Sequence, residues 1–237
     1  MKEDETMVSA IVSNIRQETP STKSFDLTPI TGKVHFLPGQ WVDVLVQING
    51  RTEIGGYSIT SNPSQKGSIS LAVKDLNNDF MTRYIHDSMV DGDMVSFNVG
   101  GTCTYSEEKN DALLLAGGIG ITPLMSIFKN IGEDTDHKAL LFHSASCSNE
   151  FLFEEEIKTL CLQHPNRLFY RQTLSRNSEQ LRNQTFGRIT KSKLQKLPVL
   201  CFDAVFLCGP DKFISDIYEC LIEIGFDKNH IYYEKWW

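Results

Sequence analysis

Residues 113–123 read Leu-Leu-Leu-Ala-Gly-Gly-Ile-Gly-Ile-Thr-Pro, an apolar strand that runs through Gly117, Gly118 and Gly120 into a helix start. Glycine permits a tight turn and lets a phosphate come close to backbone N–H groups. Thr122 is expected as the helix N-cap and Pro123 at its first position. A helix start of this kind is an anion site, although the same residues also suit a plain tight connection. A second set, Cys208-Gly209-Pro210, ends the apolar run that begins at Ala204. Open α/β sheets bind ligands at the carboxyl ends of their strands, which would turn Cys208 into a cleft; the alternative is a small buried hydrophobe. In Gly55-Gly-Tyr57-Ser58-Ile59-Thr60-Ser61 an aromatic plane stands beside three hydroxyls. That combination suits stacking on a planar heterocycle and hydrogen bonding to its edge, or it is an exposed strand end. The chain closes on Tyr232-Tyr-Glu234-Lys-Trp236-Trp237, whose indoles are expected to cover a ring or plug an apolar opening.

These residues need two kinds of scaffold. Through the first hundred residues period two dominates: Val42, Val44 and Val46 share one face of 41–48, and Ile69, Leu71 and Val73 share one face of 68–74. Pro38-Gly39, Asn49-Gly50, Asn62-Pro63 and Asp91-Gly92 punctuate these runs, at the spacing of a small antiparallel barrel or sandwich. One helix is expected over 79–88. A polar segment, 105–111, then opens a different pattern, and the boundary is placed between residues 107 and 108. Strands are expected over 112–116, 139–144, 168–174, 204–208 and 230–233. Helical spacing links Phe153, Ile157, Leu160 and Cys161, and later Phe213, Ile217, Tyr218 and Leu221. Alternating strands and helices imply a parallel α/β sheet.

Composition excludes several classes. The 237 residues are 41% hydrophobic and 22% charged, which is ordinary globular usage. No apolar run approaches a membrane span. The net charge of −7, with no basic block, argues against nucleic acid and leaves a small molecule or a protein as partner. The acidic start Met1-Lys-Glu-Asp-Glu5 carries no visible targeting pattern. Six cysteines lack any Cys-x-x-Cys pair, so no metal site is expected and most are assigned to the core as free thiols. The histidines are given no role.

Phe36-Leu-Pro-Gly-Gln40, Tyr57-Ser58, Gly117–Pro123, Cys208-Gly-Pro210 and the Glu234-Lys-Trp-Trp237 ending occur in the order of the ferredoxin–NADP reductase superfamily, which the chain resembles from about residue 36 to 237. Within it, the chain is most similar to oxidoreductase NAD-binding-domain-containing proteins. The resemblance implies an antiparallel β-barrel that binds FAD over 1–107, then an α/β parallel-sheet domain that binds NAD(P)H over 108–237. It implies hydride transfer from NAD(P)H to FAD, with electrons passed on to an unidentified acceptor, an electron-acceptor protein or a quinone. Ser58, Cys208, Glu234 and Trp236 are the implied catalytic residues: Ser58 near the flavin N5, Cys208 beside the nicotinamide C4, and Trp236 over a ring. Tyr57, Ile59, Val73, Lys74 and Thr82 are implied flavin contacts. Gly117, Gly118, Gly120, Thr122 and Pro123 would hold the dinucleotide pyrophosphate, with Ser144, Arg176, Gly209 and Pro210 completing its site. Relatives are associated with mitochondria, so the implied location is mitochondrial or cytoplasmic.

Two positions depart from the family pattern. Gly55 stands where an arginine usually precedes the tyrosine by two, a contact of about 1.5–3 kcal/mol when made to a phosphate. Arg51 is a candidate substitute. Asp79 replaces a glycine three residues before Thr82 and brings a negative charge toward a phosphate. These departures keep open an alternative, a nucleotide-responsive binding or scaffold protein with weakened flavin binding. Ser144-Ala-Ser146 points to NADH, whereas Ser175-Arg176 and Gly187-Arg188 suit a 2′-phosphate.

Overall fold

The computed structural model describes residues 7–48, 50–76, 79–176 and 185–234. Six antiparallel strands form the first half: β1 (Val8–Thr19), β2 (Thr22–Pro29), β3 (Trp41–Ile48), β4 (Arg51–Ser58), β5 (Ile69–Lys74) and β6 (Met94–Gly100). Their order is β4-β3-β6-β1-β2-β5, and an antiparallel bridge between Ile59 and Leu71 joins the two outer strands, closing the sheet into a barrel. The period-two residues point inward: Val42, Val44, Val46, Leu71 and Phe97 share one core with Met81 and Ile85 of helix α1 (Phe80–Asp87). β1 is longer than its hydrophobic pattern suggests. It continues past an irregularity between Ser13 and Arg16, where Asn14 adopts φ 56° and donates from Nδ2 to Asp26.

The second half is a parallel sheet of β7 (Ala112–Gly117), β8 (Ala139–Ala145), β9 (Leu168–Leu174), β10 (Thr185–Phe186), β11 (Ala204–Cys208) and β12 (Ile231–Tyr233). The order β10-β9-β8-β7-β11-β12 means that the chain builds outward from β7 in one direction, then returns to build from its other edge. Helices α2 (Ile121–Asp134) and α3 (Glu154–Gln163) cover one face, packing on Leu114 and Leu141. On the opposite face, α4 (Lys191–Leu194) and α5 (Asp211–Ile224) pack on Leu113, Leu115 and Leu140. Because both faces are covered, the central strands β7 and β11 read as continuous apolar runs rather than alternating ones.

Three expectations need correction. Thr122 is not the helix N-cap: Gly118–Gly120 is already a 3-10 turn that runs directly into α2, whose cap is Gly120, and the Thr122 hydroxyl donates back to the Ile119 carbonyl at 2.9 Å. Pro123 accordingly lies third in α2 rather than first. Tyr105, expected in a polar separator, is fully buried in the core of the parallel-sheet half, and its hydroxyl donates to the Asn110 carbonyl. Of the cysteines only Cys208 is buried; Cys103, Cys147, Cys161 and Cys220 are half-buried and Cys201 is exposed, all as free thiols.

Candidate functional site

The strand order reverses between β7 and β11, and their carboxyl ends lie side by side, with Ala116 opposite Cys208. At such a reversal the connections leave in opposite directions and a crevice opens, the usual ligand position in an open α/β sheet. Contact here is too close for side chains: a Cβ on Gly120 would lie 2.3 Å from the Cys208 carbonyl oxygen. Gly118 is different. It has φ +56° with nothing within 4 Å of a Cβ position, so its backbone lines open space. The two glycines therefore do separate things: Gly120 lets the turn pack against the end of β11, and Gly118 presents bare backbone.

The barrel supplies the facing wall. Gly39 and Cys103 meet Pro123, Leu124, Cys208 and Glu234 around a small cleft. Glu234 Oε1 accepts from the backbone N–H of Thr102 at 3.0 Å and of Cys103 at 3.3 Å, which ties the end of the parallel-sheet half to the exit of the barrel. Burial, and next the charges of Glu234 and Cys208, push the Cys103 thiol up to about 12, so it stays protonated. The structure thus brings Cys208 and Glu234 to one cleft. Trp236 lies outside the described residues.

A second groove lies between the halves, where Thr22 and Lys74 of the barrel face Gly118, Ile119, Ser146 and Glu150. Glu150 accepts from Ser21 Oγ at 2.5 Å and pairs with Lys74 Nζ at 3.4 Å. Ser144, next to last in β8, lies nearby and is largely buried. Arg176 and Arg188 are both exposed and follow the ends of β9 and β10, which are held together by Phe186 opposite Leu174 and by the Gly187 N–H donating to Leu174 O. Gly209 and Pro210 lead from β11 into α5, with Pro210 at its cap position.

Tyr57 and Ser58 end β4, and Ile59 continues it as the buried residue of the barrel-closing bridge. Tyr57 leans over Gly55: a Cβ on residue 55 would lie 2.5 Å from the Tyr57 hydroxyl. An arginine at that position would have to displace the ring. The Tyr57 hydroxyl is buried with no hydrogen-bond partner among the described residues, and burial first, then the Asp79 charge, holds it protonated. Arg51 begins the same strand with no turn between it and Gly55, so at roughly 3.3 Å per residue its Cα is about 13 Å away. Val73 is buried beside Lys74 on β5.

Asp79 is the N-cap of α1: its carboxylate accepts from the Thr82 N–H at 3.0 Å, and the buried Thr82 hydroxyl donates to the Asp79 carbonyl. The departure from glycine therefore has a structural job, filling with an internal anion a helix start that otherwise attracts an external one.

His143 and Glu150 also border this region, and no motif marks either of them. His143 lies on β8, where the apolar run Ala-Leu-Leu-Phe gives way to His-Ser, and a ring that can be charged at the end of a buried run is the available signal. Its Nε2 contacts the Gly118 carbonyl at 3.1 Å. Glu150 lies beyond the strand, where no periodicity marks it.

Family models described as an oxidoreductase FAD-binding domain and an oxidoreductase NAD-binding domain match residues 10–105 and 114–219. The human oxidoreductase NAD-binding domain-containing protein 1 is 30% identical over 256 residues, an alignment that covers 98% of this chain and 81% of the relative. Flavohemoprotein B of Dictyostelium discoideum is 26% identical, over 94% of this chain and 58% of its own length. Among solved structures, the flavohem-like FAD/NAD-binding domain of nitric oxide dioxygenase from Vibrio cholerae superposes with a TM-score of 0.87 at 23% identity, covering 97% of this chain and 98% of that one. A ferredoxin NADP+ reductase from Neisseria gonorrhoeae with bound FAD and NADP gives 0.81 at 17% identity, covering 98% and 99%.

Proposed function

Since this chain belongs to the family of oxidoreductase NAD-binding domain-containing proteins, with an FAD-binding and an NAD-binding domain in series, we propose that it is an FAD-dependent NAD(P)H oxidoreductase that passes electrons to a separate acceptor. The observation that carries the reading is the strand-order reversal at β7 and β11, whose glycine-lined ends face the barrel across the Cys103–Cys208–Glu234 cleft. The domain boundary is taken at 107/108, in the segment between β6 and β7.

Both cofactors fit the residues present. The orphaned, buried Tyr57 hydroxyl marks a missing hydrogen-bond partner at the flavin end, and the open backbone at Gly118 is a cradle that any side chain would fill. When bound, NAD(P)H supplies a hydride and FAD accepts it. The chain's own part is placement. Tyr57 offers a face for stacking and Ser58 a hydroxyl at the ring edge; Ile59, Val73 and Lys74 border the same barrel end. Gly117, Gly118, Gly120, Thr122 and Pro123 form the turn that receives the pyridine nucleotide's pyrophosphate. Cys208 sits at the strand end beside the reacting ring, and Glu234 holds the terminal segment in register. Arg176 and Arg188, on neighbouring strand ends, suit a 2′-phosphate and favour NADPH. Close positioning of two cofactors is the main rate contribution such residues can make.

A second reading has its own support. With Asp79 capping α1 and no arginine at residue 55, the flavin phosphates lose two attractive partners, as in a nucleotide-responsive binding protein that retains flavin poorly. The test is reduction of an artificial dye by the FAD-supplemented full chain with NADH or NADPH. Sustained turnover supports the oxidoreductase; dinucleotide binding without turnover supports the second reading.

A further inference from the structure

Beneath the glycine turn lies a group with no part in the stacking just described. His143 is fully buried on β8, in register with Ala116 of β7 and Gln172 of β9. Its ring packs edge-on against Phe151, with centroids 5.3 Å apart. Nε2 lies 3.1 Å from the Gly118 carbonyl oxygen, whereas Nδ1 is buried with no partner among the described residues. A carbonyl oxygen can only accept, so Nε2 carries the proton and Nδ1 is the bare nitrogen. Burial lowers the affinity of the ring for a second proton, to a pKa of about 4, so the imidazole is neutral at physiological pH.

The Gly118 carbonyl also accepts from the Ile121 N–H. Two donors thus fix the peptide that joins Gly118 to Ile119. A trans peptide is planar, with its N–H directed opposite to its C=O. A carbonyl pulled inward to His143 therefore sends the Ile119 N–H outward, on the side of the groove that Gly118 and Ile119 line with Lys74 and Ser146. Glycine at 118 has wide freedom in φ and ψ, so without an anchor this peptide can rotate and present its carbonyl, which repels an anion.

We propose that His143 is a positioning residue for the dinucleotide: it clamps the Gly118 carbonyl from below so that the Ile119 N–H faces the phosphate. This rests on the reading of the glycine turn as the NAD(P)H site. It assigns the residue no contact with the nucleotide and no proton transfer.

The test uses the FAD-supplemented full chain with His143→Gln, His143→Asn and His143→Leu. A glutamine amide nitrogen reaches the place of Nε2, an asparagine nitrogen only that of Nδ1, and leucine keeps bulk without a donor. Binding of NAD+ and NADP+ is measured by calorimetry, and the imidazole tautomer and the exchange rate of the Ile119 amide by NMR without nucleotide. The expected result is an Nε2–H tautomer, with glutamine within about threefold of the parent in dissociation constant. Asparagine and leucine are each expected to be weakened tenfold or more and to exchange the Ile119 amide faster, the size of one lost hydrogen bond. Equal weakening by glutamine and asparagine, or an Nδ1–H tautomer, overturns the clamp while leaving the nucleotide site intact. A parent protein that binds neither dinucleotide overturns the functional reading and the role of His143 with it.

Discussion

Asp79 shows how one side chain can serve a fold and work against a ligand. Its carboxylate satisfies the Thr82 N–H at the start of α1, a cap that contributes about 1 kcal/mol to stability. Asparagine caps as well as aspartate but carries no charge. Asp79→Asn is therefore expected to leave the urea midpoint unchanged and to tighten FAD binding roughly fivefold, the effect of removing about 1 kcal/mol of repulsion. Equilibrium dialysis against FAD checks this; unchanged affinity would mean that the flavin phosphates do not approach α1. The sequence showed the charge at position 79, but not that it closes a hydrogen bond, because a cap is recognised only once the helix start is fixed. The reason for Gly55 was equally hidden: nothing in the order of residues tells that the Tyr57 ring lies across its own strand.

At the scale of the element, the turn between β7 and α2 separates two uses of glycine. Gly120→Ala puts a Cβ 2.3 Å from the backbone oxygen of Cys208, which cannot move without disturbing β11. It is expected to cost about 1–3 kcal/mol of stability, the range for overpacking, and to weaken NAD(P)+ binding as a consequence. Gly118→Ala meets no neighbour and carries only the strain of φ +56°, about 1 kcal/mol, yet it projects a methyl group into the groove. Its stability loss should be the smaller and its loss of nucleotide affinity at least as large; thermal unfolding beside calorimetry separates the two. The strand run 204–208 was legible to the residue, since a parallel strand buried on both faces is a continuous apolar stretch between turn residues. The helix start was misread by a turn. Thr122-Pro123 has the right residue types for a cap, but the preceding glycines had already begun to coil.

In the whole molecule, polar contacts join the two halves beside the apolar packing of Ala72 on the parallel-sheet core, and periodicity reveals none of them. Ser126 Oγ donates to the Ser61 carbonyl at 2.7 Å, and the Asn62 amide donates to both Glu133 and Asp134. Such pairs join residues far apart in sequence, so only the assembled fold brings them together. Two domains and their order were readable; the seam between them was not. His143 gives the assembled protein an acid sensitivity. Its folded pKa of about 4 lies below the unfolded value of 6.5, so between these values the unfolded chain binds the extra proton. Its effect is absent above pH 6.5, and stability falls as pH drops through 6.5 toward 4, by about 1 kcal/mol from pH 7 to roughly 5.5. Urea titrations at the two pH values should show this difference in the parent and a flatter response in His143→Gln.

In the proposed function the barrel and the parallel sheet together move a hydride between two bound cofactors. The most direct measurement is anaerobic: the chain is loaded with FAD, freed of excess, and mixed with NADH or NADPH while its visible absorption is followed. The bound flavin bands are expected to bleach with at least one nucleotide. A chain that retains flavin and binds dinucleotide, yet keeps its flavin oxidised with both, would contradict the proposed function.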